Sequence, residues 1–487
     1  MSEKKRFHPL ALVLFLFQEI KNWFFLFIVV FINGGRLAKQ GWLGIAAILV
    51  LIAGIVGIAL VRYFTQAYQI SPEKIIIYSG VFRKHETDIP YERIQTVKQK
   101  QWFFLQPFHI VELLIETAGG GSTEKAEASM PAVNEELVHT IENYRLRKKT
   151  GTADLAAEAV EPEVEESGYT YHITNGQILL FGLTDLSMLT VAIAVAVFFN
   201  DFIPADWVEQ AVSASEKLIR AGWLLVAGLV ALSVLVLAVL SVMKSFFQYY
   251  NFKISRQETT LTIESGLLER RVQKIPLKKI QGIKIRQQLI RKLLGISSVE
   301  LLLAGGQEEK ESAKIYFLPI IADAQLYDNL QALLPEWEFT KPRIRYASRK
   351  KIWYFWRWPL LVLLPVILLG FYFNFWAGLA ISLLLLVLLL VAWLEAHYQG
   401  YAIQTASRIC IQTFTGLSKV QTVVEREKIQ SFTEKTTRWL FKKKIGHIKF
   451  YLKTGTSAER VALSFIDKTA IDELKHSFLA DRTINRF

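Results

Sequence analysis

Ile275-Pro276-Leu277-Lys278-Lys279-Ile280-Gln281 decides how this 487-residue chain is read, because the phrase recurs on either side of it. Ile89-Pro90-Tyr91-Glu92-Arg93-Ile94-Gln95 comes before it, and Val424-Glu425-Arg426-Glu427-Lys428-Ile429-Gln430 comes after. A small-residue turn precedes each phrase: Ser79-Gly80, Ser265-Gly266 and Thr415-Gly416. The third repeat is one residue shorter between glycine and glutamine. Upstream of each turn lies a pair of apolar stretches, 10–32 with 42–61, 178–199 with 223–242, and 359–373 with 375–394. Internal repetition on this scale sets the architecture before any single element is read.

Composition places the repeats in a membrane. Hydrophobic residues make up 52% of the chain and the mean hydropathy is +0.27. Stretches of about 20 apolar residues can cross a hydrocarbon core of roughly 30 Å. Six transmembrane helices in three pairs are predicted. The first span carries Gln18, Glu19, Lys21 and Asn22, which puts its start in the interface. The fifth reaches full length by including Trp353 to Trp358 as an aromatic belt. The first apolar run reads as a retained span rather than a cleaved signal, since a second run follows it without a small-residue cleavage site. The single cysteine, Cys410, makes no internal disulfide.

An even number of spans precedes each basic segment, so all three segments share the side of the N-terminus. The opposite loops hold only Arg36, Lys39, Lys217 and Arg220 as basic residues. The positive-inside rule then predicts that the N-terminus, the C-terminus and the three segments are cytoplasmic.

Each segment reads as short strands closed by a helix. In repeat 2, Phe252–Ser255, Thr259–Ile263, Val272–Ile275, Ile280–Ile285, Val299–Leu303 and Lys314–Leu318 are β-rich. An amphipathic helix follows, with Leu326, Leu330 and Leu333 on one face. Repeat 1 ends likewise on Leu137, Val138 and Ile141, and repeat 3 on Ile471, Leu474 and Phe478. Six or seven strands and one C-terminal helix predict a small, partly open barrel.

The helix pair, the S/T-G turn, the I-P-x-x-[KR]-I-Q phrase and the following Q-x-x-x-[RK]-x-x-G-x-x-x-V-x-[LI]-x-x-A-G-G resemble the bacterial membrane-flanked PH-like domain family, in its YdbT-type, three-copy form. Repeat 2 matches through Gln288, Lys292, Gly295, Val299, Leu301 and Ala304–Gly306. Repeat 1 departs with Pro107-Phe108 where the glycine is expected, and repeat 3 keeps Gly446 but has Thr454-Gly455-Thr456 in place of A-G-G. The resemblance implies an α+β membrane protein in which each transmembrane pair is followed by a PH-like β-barrel with a C-terminal helix. It implies no catalytic machinery, and it implies a protein partner such as a smaller single-domain relative.

Between the repeated phrase and the next apolar strand, each repeat mixes basic and bulky apolar residues, a composition suited to the headgroup boundary. The lipid- or partner-facing candidates are Trp102 in repeat 1, Arg286, Arg291 and Lys292 in repeat 2, and Arg438, Trp439, Lys442, Lys443 and Lys444 in repeat 3. The competing reading is a plain solvated face, with Leu289, Leu293 and Leu294 as packing residues. Membrane lipids, anionic ones included, are the expected ligands. The net charge of +13 would suit nucleic acid, but no recognition motif accompanies it and tethering to a membrane explains it. Gly80, Gln95, Gly266, Gln281, Gly416 and Gln430 form a repeated structural motif. Intramembrane polar candidates are Glu19, Lys21 and Asp185, with Lys21 and Asp185 the natural ion pair.

No zinc spacing, P-loop, nucleophile elbow or metalloprotease helix occurs, so no enzyme, no metal and no cofactor is expected. The predicted layout is transmembrane pair 1 over 1–61, PH-like domain 1 over 62–149, and an acidic linker over 150–168. Transmembrane pair 2 follows over 169–245, PH-like domain 2 over 246–335, transmembrane pair 3 over 336–395 and PH-like domain 3 over 396–487. The expected function is a non-catalytic scaffold or sensor at the inner leaflet. The alternatives are protection against membrane-active peptides or envelope stress, and transport.

Overall fold

The computed structural model describes residues 4–32, 42–80, 83–117, 128–150, 169–185, 223–304, 315–405, 407–454 and 457–479. The acidic linker after Thr150 and the glycines of the A-G-G turns lie outside these residues, as does the third expected span beyond Asp185. The chain divides into two compact units. One holds 1–167, 172–254 and 262–275, and the other holds 168–171, 255–261 and 276–487.

The first unit begins with β1 (Lys5–Arg6), α1 (Ala11–Asn22), α2 (Phe24–Ile32) and α3 (Trp42–Thr65). Strands β2 (Ala67–Ile70), β3 (Lys74–Ser79) and β4 (His85–Pro90) follow. They form a four-stranded sheet in the order β1-β2-β3-β4. Because β1 pairs with β2 across the intervening helices, the chain that leaves at Arg6 returns at Ala67. A 3-10 turn over Tyr91–Arg93 then bends the chain into β5 (Ile94–Trp102), β6 (Ile110–Thr117) and β7 (Ala128–Asn134), and α4 (Glu135–Thr150) closes the repeat.

The core of repeat 1 lies between these two sheets. Ile75, Ile77 and Ile89 face Val97, Leu113, Ile115 and Met130, with Val138 and Ile141 of α4 at the end. Burying each such side chain contributes about 1.5–3 kcal/mol. The first half of the expected first span belongs to this core: Ala11, Leu14 and Phe15 of α1 are buried in it. Polar Gln18, Glu19 and Lys21 make α1 an amphipathic helix lying on the domain, and the helix breaks at Trp23.

Next come β8 (Thr170–His172), α5 (Asn175–Leu183) and α6 (Trp223–Tyr249), then β9 (Lys253–Gln257), β10 (Thr260–Ser265) and β11 (Glu269–Pro276). β11, from repeat 2, pairs antiparallel with β5 of repeat 1, Glu269 opposite Trp102 through Gln273 opposite Lys98. The repeats are therefore not separately closed barrels. The second sheet of one repeat continues sideways into the first sheet of the next.

The second unit shows the same joint. β12 (Ile280–Gln288), α7 (Leu289–Leu293), β13 (Ile296–Leu303), β14 (Tyr316–Ala322) and α8 (Leu326–Leu333) complete repeat 2. β15 (Arg345–Tyr346) precedes the helices α9 (Ile352–Phe373) and α10 (Phe375–Tyr398), which turn at Asn374, whose side chain caps α10 by accepting from Trp376 and Ala377 N–H. β16 (Gly400–Thr405), β17 (Arg408–Thr415) and β18 (Ser418–Glu425) follow, and the seven-stranded order is β14-β13-β12-β18-β17-β16-β15. Gln288 stands opposite Ser418, the repeat-equivalent of Trp102 opposite Glu269, so both joints share one register. β19 (Ile429–Lys435), α11 (Arg438–Lys442), β20 (Ile445–Thr454), β21 (Ser457–Asp467) and α12 (Lys468–Leu479) end the described chain. Tyr401, Ile409 and Ile411 face Ile448, Phe450 and Leu463, with Ile471 and Leu474 of α12 completing this core.

The repeated phrase is the corner at which the chain passes from first sheet to second. Pro90, Pro276 and Glu425 are extended and precede one 3-10 turn each. Gln95, Gln281 and Gln430 each occupy the extra position of a β-bulge, since the ladders skip from Ile94 to Thr96, from Ile280 to Gly282 and from Ile429 to Ser431. A bulge at this point supplies the bend. The shortened turn of repeat 3 has its own cause: Thr415 pairs with Ser418 across two residues, Gly416 and Leu417, both left-handed, as a tight hairpin requires.

Four helices among the described residues are long and apolar enough to cross a membrane: 48–65, 231–249, 349–373 and 375–398.

Candidate membrane-facing site

Each repeat carries a tip between its fifth and sixth strands, and one side-chain bond pins all three. Gln101 Nε2 donates to the Ile110 carbonyl (3.3 Å), Gln287 Nε2 to Ile296 (3.4 Å), and Thr436 Oγ1 to Ile445 (3.0 Å). Each tip ends on a left-handed residue: His109, Gly295 and Lys444. The family glycine of repeat 2 thus corresponds to His109 and Lys444 rather than to Phe108 or Gly446. The middle of each tip holds one buried side chain, Leu105, Arg291 or Leu440.

That alignment corrects one candidate. Arg291 is among the lipid- or partner-facing candidates, but it is only 2% exposed and donates to Ser298 Oγ, which in turn donates to the Pro319 carbonyl. It fills the site that leucine fills in the other two repeats. Arg286 lies in β12 and pairs with Glu300 (Nε to Oε1, 2.9 Å), a partly buried ion pair. Trp102 is half-buried, its ring 5.1 Å from Phe17 of α1.

The outer residues are different. Leu293 is 88% exposed, Trp439 82% and Phe441 69%, with Ile290, Leu294, Phe103 and Phe108 also exposed. Lys292, Arg438, Lys442, Lys443 and Lys444 are exposed around them. Large apolar side chains ringed by cations suit a lipid headgroup region.

The tips stand at the ends of apolar helices. Lys292 contacts the Tyr398 hydroxyl and sits 4.2 Å from its ring centroid, at the C-terminal end of α10. Lys443 Nζ lies 5.7 Å from the ring of Tyr354, in the first turn of α9. In the first unit, Phe103 N–H donates to Leu268 O (2.7 Å), and Leu267 N–H donates to Phe247 O of α6 (2.9 Å). Of the polar residues expected within spans, Glu19 accepts from Arg62 of α3 at 2.6 Å. The Asp185 carbonyl accepts from Ser241 Oγ at 3.0 Å, while Lys21 lies in the exposed last turn of α1.

A cavity of about 270 Å³ opens in the second unit, beside the joint. Its polar lining includes Gln287, Asp323, Tyr327, Lys341, Lys419 and Gln421. Asp323 accepts from Gln287 Nε2 (2.6 Å) and Ser297 Oγ, and Gln421 donates to Gln412, which donates to the Tyr398 carbonyl. Burial, then the neighbouring Lys292 charge, lowers the Lys419 pKa. Burial also pushes the Tyr327 hydroxyl up, and the Cys410 thiol up to about 12, so Cys410 is an inert core residue. Sequence reasoning missed this cavity, because its walls come from two different repeats.

The transmembrane helices, the two-sheet domains with a closing helix and the repeated corner define a membrane-tethered PH-like protein. The family model described as "Bacterial PH domain" matches residues 22–149 and 203–334, and the chain belongs to that family. It is similar to the UPF0699 transmembrane protein YdbT of Bacillus subtilis (strain 168), at 29% identity over 459 residues, which is 89% of this chain and 90% of that protein.

Proposed function

We propose that this transmembrane protein is a non-catalytic scaffold or sensor. It presents three PH-like domains at the cytoplasmic face of the membrane, with six spans in three pairs and both termini cytoplasmic. The observation that carries the reading is the placement of exposed apolar and cationic tip residues at the ends of apolar helices, as with Lys292 on Tyr398 and Lys443 near Tyr354. Strand pairs support the pairing of spans. β1 meets β2, and β15 meets β16, across the helices they flank. Membrane lipids, anionic ones in particular, are the proposed ligands, alongside a protein partner such as a smaller single-domain relative. The sensing arm is the cavity: Lys341 and Lys419 line it, and a cation held in a part-buried wall attracts an anionic group.

The test is depth. In a Cys410→Ser background, a fluorophore on Trp439→Cys is reconstituted with lipids brominated at set positions. Quenching by shallow bromines, absent for a fluorophore on Lys475→Cys, is the expected outcome. Equal, weak quenching at both sites would sink the reading. Co-purifying anionic lipid is expected to fall in a Lys442→Ser, Lys443→Ser, Lys444→Gly variant.

A further inference from the structure

The two internal joints leave the chain with two unfilled halves. β5 and β12 each receive a strand from the next repeat, β11 and β18. β19 is their counterpart in repeat 3 and forms the outer edge of a three-stranded sheet, β19-β20-β21, with no strand on its far side among the described residues. Its exposure differs accordingly. Gln281 and Gly282 of β12 are buried, whereas the equivalent Gln430 and Ser431 of β19 are exposed. At the other end, β4 is the counterpart of β11 and β18, and it too is an outer edge, with His85, Glu86 and Asp88 exposed. Among the described residues, one chain thus carries one open acceptor edge and one open donor edge of the kind it twice joins internally.

We infer that β4 of one molecule pairs with β19 of another, so that this protein assembles head to tail in the membrane. Exposed edges of this kind template strand addition, and a heterologous contact between unlike surfaces generates a ring or a filament. The shared register fixes the pairing. Lys98 opposite Gln273 and Lys284 opposite Thr422 are equivalent pairs, and both map onto Thr433 opposite Thr87. Glu86 then faces Glu434. That carboxylate is already bound by Lys468 at 2.8 Å, and Lys84 falls diagonal to it. The first joint accommodates a like-charged pair as well, Lys100 opposite Arg271.

The experiment uses full-length chains in native membranes, each with Cys410→Ser. One population carries Thr87→Cys and a second, differently tagged, carries Thr433→Cys. Mild oxidation is expected to give a mixed-tag dimer that is lost when either population is oxidised alone and when Glu434→Cys replaces Thr433→Cys. Absence of the mixed dimer overturns the inference, as does capture of a different membrane protein by Thr433→Cys without Thr87→Cys. A chain carrying both cysteines that cross-links within itself at high dilution also overturns it. Spin labels on the same two positions give an independent reading in detergent: a short inter-chain distance supports the joint, and none in the measurable range refutes it.

Discussion

At the scale of single residues, position within the repeat matters more than chemical type. Arg291 is a cation where Leu105 and Leu440 are apolar, and all three are buried. Arg291→Ser is expected to cost about 2–4 kcal/mol through lost packing and the lost charge-assisted bond to Ser298, read as a lower melting temperature. Lys292→Ser, on the exposed side, should leave melting unchanged. The turn glycines differ in the same way. At Gly266, φ is 112° and a Cβ would lie 2.1 Å from the Glu269 carbonyl oxygen, whereas at Gly416 φ is 57° and a Cβ meets nothing. Gly416→Ala should cost about 1–2 kcal/mol from left-handed backbone alone. Gly266→Ala should cost clearly more, a difference that chemical denaturation in detergent would show. The contrast follows from one deleted residue, visible in the sequence as a shorter spacing but interpretable only once the two-residue hairpin is seen.

Among elements, β20 carries a pH-dependent weakness. Burial, then the charges of Lys449 and Arg357, lowers the His447 pKa below the ordinary imidazole value of about 6.5. The unfolded chain therefore binds this proton more readily. Stability from this group is fully present above about pH 6.5 and is lost as pH falls through the lowered folded value. His447→Phe, which can keep the ring contact with Phe465 (4.5 Å), should flatten that acid-side slope in melts between about pH 4.5 and 7. Strands, closing helices and the repeat itself were legible in the sequence, since period and turn residues are local signals. The helix bearing Leu326, Leu330 and Leu333 lies where its spacing predicts, with all three buried. Two things were not legible. An apolar run such as 10–32 does not say that its first half packs on a domain, because Ala11, Leu14 and Phe15 suit a protein core as well as lipid. Nor does β5 announce its neighbour, because Lys98 and Lys100 suit an exposed edge as well as a joint.

At the scale of the whole molecule, the joints make the repeats interdependent. A chain ending at residue 335, the boundary suggested by the repeat, would leave the outer edge of β12 uncovered, including Ile283 and Ile285, which now stand opposite Val423 and Gln421. Such a chain is expected to aggregate in detergent in which the intact protein stays dispersed, a difference that light scattering resolves. The interleaving also sets a timetable during synthesis. β5 is complete at Trp102, but its partner β11 is complete only at Pro276, beyond the apolar helix α6, which is long enough to cross a membrane. At roughly 5–20 residues per second, that edge waits on the order of 10–30 s, and β12 waits nearly as long for β18. The half-finished protein is thus a sticky intermediate at the ribosome, and the lysines on the waiting strand serve the nascent chain as much as the finished one.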